Sequence, residues 1–265
     1  MVISRAGGGY GPPAAAMAGT TGLVFPSNGG APSGVKVAFK FTGAALPDIT
    51  PITLIWRVWI VQHAGYSTTF FHSTGDGTFD ADDTYFGCHP YPDPPPSGNN
   101  HKWEISAGGG DEITDVNGNN TTVEFGRWFT QAAVNRPGPS SNTTTDFYWD
   151  LSTSANRLIT RTTQPNFALF NSPNSPHLMF GDNLWADERL SGRLRGMQIY
   201  SDALSLAQIQ ARMDLASDAA VVAANPSSLF YCNLNPTPDD ISDKSGSGHN
   251  PSWHDSGNKA TLWTE

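Results

Sequence analysis

Leu190-Ser191-Gly192-Arg193-Leu194-Arg195-Gly196-Met197-Gln198-Ile199-Tyr200-Ser201-Asp202-Ala203-Leu204-Ser205-Leu206-Ala207-Gln208-Ile209 carries a strand, a turn and a capped helix in one run. The apolar positions Leu194, Met197 and Ile199 break strict alternation at Gly196, the register slip that a β-bulge gives, and all three are expected to face the core. Ser205 with Gln208 three residues later makes a capping box, and Leu206, Ile209 and Met213 form an apolar stripe. A helix is therefore expected over Ser205–Met213, with Ala203-Leu204 pinning it across one end of a sheet structure.

Working outward, the chain is a succession of short strands separated by turn chemistry. Val35, Val37, Phe39 and Phe41 share one face of an alternating run. Ile52–Val61 is β-branched and aromatic, as in the middle of a sheet. Further strands are expected at Tyr66–His72, Thr84–His89, His101–Ser106, Thr121–Phe125, Trp128–Asn135, Asp146–Asp150, Arg157–Thr162, His177–Phe180, Gly192–Tyr200 and Leu229–Leu234. A second short helix is expected at Asp218–Ala224, stopped before Pro226. Clusters such as Gly75-Asp76-Gly77 and Asn117-Gly118-Asn119-Asn120 supply the turns. Residues 1–34, rich in Gly, Pro, Ala and Ser, read as an extended arm or loose first strand. Residues 35–265 read as one all-β domain, a sandwich or barrel, with no internal repeat.

The Gly192–Tyr200 strand with its Ala-Leu turn and capped helix resembles the closing strand of laminin-G-like, concanavalin A-like jelly rolls. Gly126-Arg127-Trp128 resembles that family's glycine-x-tryptophan strand. Leu178-Met179-Phe180-Gly181-Asp182-Asn183 resembles its isoleucine-glycine-x-asparagine strand end. Asp146-Phe147-Tyr148-Trp149-Asp150 stands where the family carries a tyrosine-x-aspartate-glycine hairpin, here without the glycine. Asp240–His249 resembles an aspartate-x-serine-glycine segment that usually opens such domains and here lies near the C-terminus, which implies a permuted or extended order. Covering about residues 35–255, the resemblance implies a two-sheet antiparallel jelly-roll sandwich with one short helix. It implies little about activity, since one fold hosts many functions.

Composition narrows the partners. The net charge of −9 is spread along the chain, which disfavours a nucleic-acid grip. Arg189, Arg193 and Arg195, the nearest thing to a basic cluster, read as a solvated strand edge. The first residues, Met1-Val2-Ile3-Ser4-Arg5-Ala6, lack the apolar segment of a secretory signal. The longest apolar stretch, near Ile52–Val61, is interrupted by Arg57, so no membrane insertion is expected. Cys88 and Cys232 read as buried free thiols, or as a single bridge if they lie on neighbouring strands.

No catalytic signature is present: there is no Gly-x-Ser-x-Gly, no His-Glu-x-x-His, and no paired acids at alternating strand positions. Glu104 reads as alone on its strand, with Asp111 and Glu112 in a Gly-rich turn. His89, Tyr91, His101 and Lys102 flank the Pro90–Pro96 loop, the expected place for a site. With Trp185 and Trp253, residues His89, Tyr91 and His101 make the candidate carbohydrate-binding set. Asp76, Asp80, Asp82 and Asp83 form a carboxylate-dense run suited to Ca2+, with Asp182, Asn183, Asp239, Asp240 and Asp243 as other options.

The expectation is a non-catalytic, lectin-like attachment module that contacts glycans or other subunits of an assembly, at a virion (phage) or extracellular surface, with a homo-oligomer as one arrangement. The alternative is a carbohydrate-binding module, or a glycan lyase or hydrolase, of a secreted polysaccharide-degrading system.

Overall fold

The computed structural model describes residues 21–25, 39–41, 51–62, 70–73, 84–92, 99–107, 111–113, 127–137, 143–148, 151, 158–163, 177–180, 191–213, 228–232, 242–253 and 261–264. They form two antiparallel sheets and one short helix, so the described part of the chain is all-β. The first sheet has the order β10 (Leu158–Thr163), β9 (Thr143–Tyr148), β8 (Trp128–Pro137), β3 (Ile52–Gln62), β12 (Ser191–Tyr200), β1 (Thr21–Phe25), β15 (Thr261–Thr264), and β13 (Ser228–Cys232) also pairs with β12. The second runs β14 (Ser252–Trp253), β2 (Phe39–Phe41), β11 (His177–Phe180), β4 (Phe70–Ser73), β5 (Thr84–Pro92), β6 (Asn99–Ala107), β7 (Asp111–Ile113).

Strand β12 joins the parts of the first sheet. One of its edges pairs with β3, and the other is shared between β1 and β13. Against β3, Leu194 stands opposite Val58 and Arg195 opposite Arg57, but the next pair is Gln198 with Ile55. Gly196 and Met197 thus face Trp56 together, which is a β-bulge at the position expected from sequence. Gly196 takes φ 60, a left-handed conformation in which a side chain is strained. The extra residue resets the alternation, so Leu194, Met197 and Ile199 are all fully buried. Leu54, Trp56, Val58, Phe129 and Phe147 are buried with them. In that apolar setting the Trp56 indole donates to Gln131 Oε1 at 2.8 Å, satisfying two buried polar groups at once.

The opposite face is half covered by the helix. Ile55, Ala132, Val134, Tyr148 and Tyr200 pack with Leu151, Leu204 and Ile209, and Leu206 lies against the cluster. Helix α1 spans Leu206–Met213. Its capping box is formed: Ser205 N donates to Gln208 Oε1 at 2.9 Å, and Gln208 N donates to Ser205 Oγ at 3.3 Å. The expected Ala203-Leu204 pin is made differently. Ala203 is exposed, whereas Leu204 is buried and held by Thr53. Thr53 Oγ1 donates to the Asp202 carbonyl at 2.6 Å and accepts from Leu204 N at 3.0 Å. Under the helix, the Tyr200 hydroxyl donates to Gln198 Oε1, and the Arg212 guanidinium lies 5.0 Å from the Tyr200 ring centre. At the sheet margin Arg136 pairs with Asp146.

Several boundaries differ from expectation for identifiable reasons. Asp111–Ile113, read as a turn, is an edge strand on β6. Pro90 and Pro92, read as loop, belong to β5; β4 pairs with Tyr85–Cys88, so beyond that point β5 pairs, among the described residues, with β6 alone and tolerates proline. Thr21–Phe25, within the 1–34 segment, lies between β12 and β15. Arg193 and Arg195, read as a strand edge, sit on an interior strand. Cys88 and Cys232 belong to different sheets, so the neighbouring-strand condition for a bridge is not met. The expected elements at Thr121–Phe125 and Asp218–Ala224 lie outside the described residues. Among the described residues no helix is long and apolar enough to cross a membrane.

Two outcomes follow from the helix-covered face. Thr53→Val keeps the shape but leaves the Asp202 carbonyl and the Leu204 amide without this partner, and costs about 1–3 kcal/mol in denaturant unfolding; Ile209→Ala costs about 2–5 kcal/mol. Burial also raises the Tyr200 phenol well above its ordinary value, and burial followed by the neighbouring Asp146 charge raises that of Tyr148. A raised acid favours the folded state only while it stays protonated. This contribution is therefore complete below the unfolded tyrosine value of about 10 and is lost as pH climbs beyond it. Absorbance at 295 nm during alkaline titration should show these phenols ionising only with unfolding.

Candidate functional site

Directly opposed residues of an antiparallel pair share a face, so register sorts the second sheet into two surfaces. One row reads Trp253, Phe39, Phe180, Phe70, Cys88, Trp103, Ile113 across all the strands from β14 to β7. Beside it lie Phe41, Leu178, His72, Phe86 and Ile105. His101 pairs with Pro90 and has the same parity. This surface is mainly apolar, with His72, His101 and, opposite Ile105, Asp111 as its charged or polar members.

The other surface is mixed. One row reads Lys40, Met179, Phe71, Gly87, Glu104, Glu112, with Ser252 opposite Lys40 at its far end. The next reads His177, Ser73, Tyr85, Ser106. Beyond the end of β4, His89 stands opposite Lys102 and Tyr91 opposite Asn100. Aromatic residues and hydrogen-bonding residues are thus interleaved along the β5–β6 hairpin. Such a mixture of residue types on one face is the composition that binding a small polar ligand calls for.

The sequence-derived candidates divide between these surfaces. His89 and Tyr91 share the mixed face, while His101 and Trp253 hold positions on the apolar one. Trp185 and the acidic run Asp76, Asp80, Asp82 and Asp83 lie outside the described residues. Reasoning from sequence grouped His89 with His101 because they flank one proline-rich segment; the parity of paired strands separates them. It overlooked Phe71, Asn100 and the placement of Glu112 opposite Glu104. Alternation within β5 and β6 carried the signal for Asn100 and Lys102; nothing local carried it for Glu112.

Asp243, another option for a cation, has its carboxylate engaged by its own loop. It accepts from Ser245 N at 2.7 Å, Ser245 Oγ at 2.8 Å, Gly248 N at 2.9 Å and His249 N at 3.3 Å. Asn250 Oδ1 accepts from Asp243 N at 2.9 Å, closing the turn just before β14. Gly246 and Gly248 supply φ 86 and φ 79, which the tight path requires. This geometry makes the Asp-x-Ser-Gly segment a loop staple that delivers β14 to the second sheet. Among the described residues no group of three or more His, Cys, Asp or Glu side chains is placed to hold a metal.

No protein-family model and no curated protein matches the chain. Among solved structures it is similar to a Bacteroides ovatus protein provisionally assigned to carbohydrate binding, at 14% identity and a TM-score of 0.55, over 93% of this chain and 60% of that one. It thus spans about three-fifths of that protein's length. It is also similar to domain 4 of AbnA, an extracellular arabinanase of Geobacillus stearothermophilus, at 16% identity and a TM-score of 0.44, covering 64% and 69% of the two chains. A third likeness is to the enzymatically active domain of tailspike protein 2 of bacteriophage CBA120, at 13% identity and a TM-score of 0.47, covering 74% and 28%. At these identities the likeness concerns the fold alone. The Bacteroides ovatus likeness agrees with the all-β architecture expected from the sequence.

The loop staple is open to direct measurement. Asp243→Ala removes a charged acceptor shared by several backbone amides, worth about 1.5–3 kcal/mol per bond of this kind. Hydrogen exchange at the Gly248 and His249 amides is expected to accelerate at least tenfold, with the helix-covered cluster unchanged.

Proposed function

We propose that the chain is a glycan-binding attachment module whose platform is the mixed face of the second sheet along the β5–β6 hairpin. The observation that carries this is the register that places Tyr85, His89 and Tyr91 on one face with Ser106, Lys102 and Asn100 directly opposite them and Glu104 opposite Gly87 between. A sugar ring offers an apolar C–H face, which suits aromatic area, and an equatorial fringe of hydroxyls, which suits amide, imidazole and carboxylate groups. The Bacteroides ovatus likeness supports the same reading at the level of fold.

In this proposal the two sheets stack as a jelly-roll sandwich. The Trp253-to-Ile113 row turns towards Trp56, Phe129 and Phe147 of the first sheet, a packing in which two inner faces bury one another. His101 and Trp253 are then interior residues, and His89 and Tyr91 are left as the ligand-facing members of the sequence-derived set. The module works at a virion or other extracellular surface, joined to further subunits or to copies of itself. Calcium held by Asp76, Asp80, Asp82 and Asp83 remains a separate proposal, testable by chelation.

A second reading has one specific observation behind it. Glu104 and Glu112 are directly opposed across β6 and β7, and glycoside hydrolysis uses two carboxylates flanking the scissile bond. Gly87, opposite Glu104 on its other side, leaves the neighbouring position without a side chain.

A printed array of neutral and acidic oligosaccharides, read with wild type, Tyr91→Ala and His89→Ala, tests the attachment role. Retention of a defined glycan class by wild type and at least a tenfold loss in Tyr91→Ala is the expected result. Binding that both variants leave intact would overturn the platform. Release of reducing ends that disappears in Glu104→Gln would move the assignment to the hydrolase reading.

A further inference from the structure

Beside the cluster beneath helix α1, the same face of the first sheet passes into polar residues. On β9, Thr144, Asp146 and Tyr148 are alternate residues and so share this face, about 7 Å apart along the strand. Register sets them opposite Arg136, Val134 and Ala132 of β8 in turn. Ala132, Val134 and Tyr148 belong to the buried cluster with Leu151, Leu204 and Ile209. Arg136 and Asp146 lie past it, joined by a hydrogen-bonded ion pair in which Arg136 Nη1 donates to Asp146 Oδ2. Burial raises the Tyr148 phenol, the Asp146 charge raises it further and Arg136 opposes them, so both charges are close neighbours of the phenol.

Two of these side chains have hydrogen-bonding capacity that the described residues leave unused. Tyr148 is only 5% exposed, yet its hydroxyl has no hydrogen-bond partner among the described residues. Nor is that oxygen one of the buried polar atoms left without a partner, so it reaches the surface. Arg136 makes one side-chain hydrogen bond among the described residues, the one to Asp146, and its side chain is 37% exposed. Its remaining guanidinium N–H groups are available as donors. Between the two stands the Asp146 carboxylate, an acceptor with about four lone-pair sites on its two oxygens. Leu151 and Ile209 pack with the Tyr148 ring, so the hydroxyl is held in place before any ligand arrives. An apolar niche alone would be filled as well by phenylalanine, which has no hydroxyl to satisfy.

We infer that Arg136, Asp146 and Tyr148 form a second glycan contact, which takes two adjacent hydroxyls of a neutral sugar. The inference rests on the glycan-binding reading above and adds to it a ligand class and a separate surface. A hydroxyl both donates and accepts. One of a neighbouring pair accepts from the Arg136 guanidinium and the other from the Tyr148 hydroxyl, while both donate to the Asp146 carboxylate. A ligand carboxylate brings no hydrogen for Asp146 and is repelled by it. An ammonium brings no acceptor for Arg136 or Tyr148. Only a hydroxyl-rich ligand meets all three groups, and being uncharged it binds with little dependence on salt.

The test is an NMR titration of the full chain with the methyl pyranosides of glucose, mannose and galactose and with methyl glucuronide, following the Arg136 Nε–H and Tyr148 ring resonances. At least one neutral pyranoside should shift both signals to saturation at low and at high salt, and methyl glucuronide should bind several-fold more weakly. Tyr148→Phe, with unchanged unfolding, should lower the neutral affinity about two- to tenfold, the range of one hydrogen bond. Arg136→Lys should do likewise, because it keeps the charge and loses the planar fork. Asp146→Asn should reverse the preference, since it leaves Arg136 to pair with the carboxylate of the glucuronide. Neutral affinity unchanged in both Tyr148→Phe and Arg136→Lys, or equal binding of the neutral and acidic sugars, would overturn the inference. So would an array glycan retained by wild type and lost in Tyr91→Ala with no pyranoside moving Arg136 or Tyr148, and the β5–β6 platform would then stand. Absence of binding on the array together with absence of any shift here would remove the parent reading as well.

Discussion

The bulge at Gly196 is the constraint on which the first sheet depends. Strand β12 has to meet β3 along one edge and both β1 and β13 along the other, and then hand the chain to helix α1. Its apolar residues are spaced three and then two apart, so a regular strand would turn Leu194 or Ile199 to the wrong side. One residue at φ 60 corrects the phase. It buries Leu194, Met197 and Ile199 together and leaves Arg195, Gln198 and Tyr200 on the other face. Glycine is the residue that takes this conformation without strain.

What happens to that other face is decided by polar groups more than by hydrophobic area. Thr53 bonds both the Asp202 carbonyl and the Leu204 amide, and so fixes the turn that sets Leu204 and Ile209 over Ile55 and Tyr200. The capping box of Ser205 and Gln208 sets where the helix begins. The same strands carry the buried apolar cluster under helix α1 and, a few residues on, the half-buried Arg57, Trp59 and Trp128. The Asp243 loop plays the corresponding part for the second sheet, turning the chain so that β14 joins β2.

Much of this was legible in the sequence. The bulge, the capping box and His177–Phe180 were readable because each depends on a few adjacent residues. The all-β class followed from alternation and turn chemistry. Thr53 was not readable as the helix anchor, since its partners lie 149 and 151 residues away. Nor was the strand at Asp111–Ile113: its acidic, glycine-flanked sequence suits a turn, and only pairing with β6 makes it a strand. The site was half legible. Sequence proximity to prolines drew His89, Tyr91 and His101 into one set, but whether neighbours share a face depends on parity and pairing. The pairing of Arg57 with Arg195 was invisible for the same reason, because they are neighbours only through register.

Ligand binding at the second sheet depends, in the proposed function, on the division of the β5–β6 hairpin into an apolar and a mixed face. Its most direct test is a 13C aromatic NMR titration with the tightest oligosaccharide identified for the chain. Resonances of Tyr85 and Tyr91 should shift and saturate together, while those of Trp103 and Trp253 stay in place. Perturbation centred on Trp103 or Trp253, with Tyr85 and Tyr91 unmoved, would contradict it.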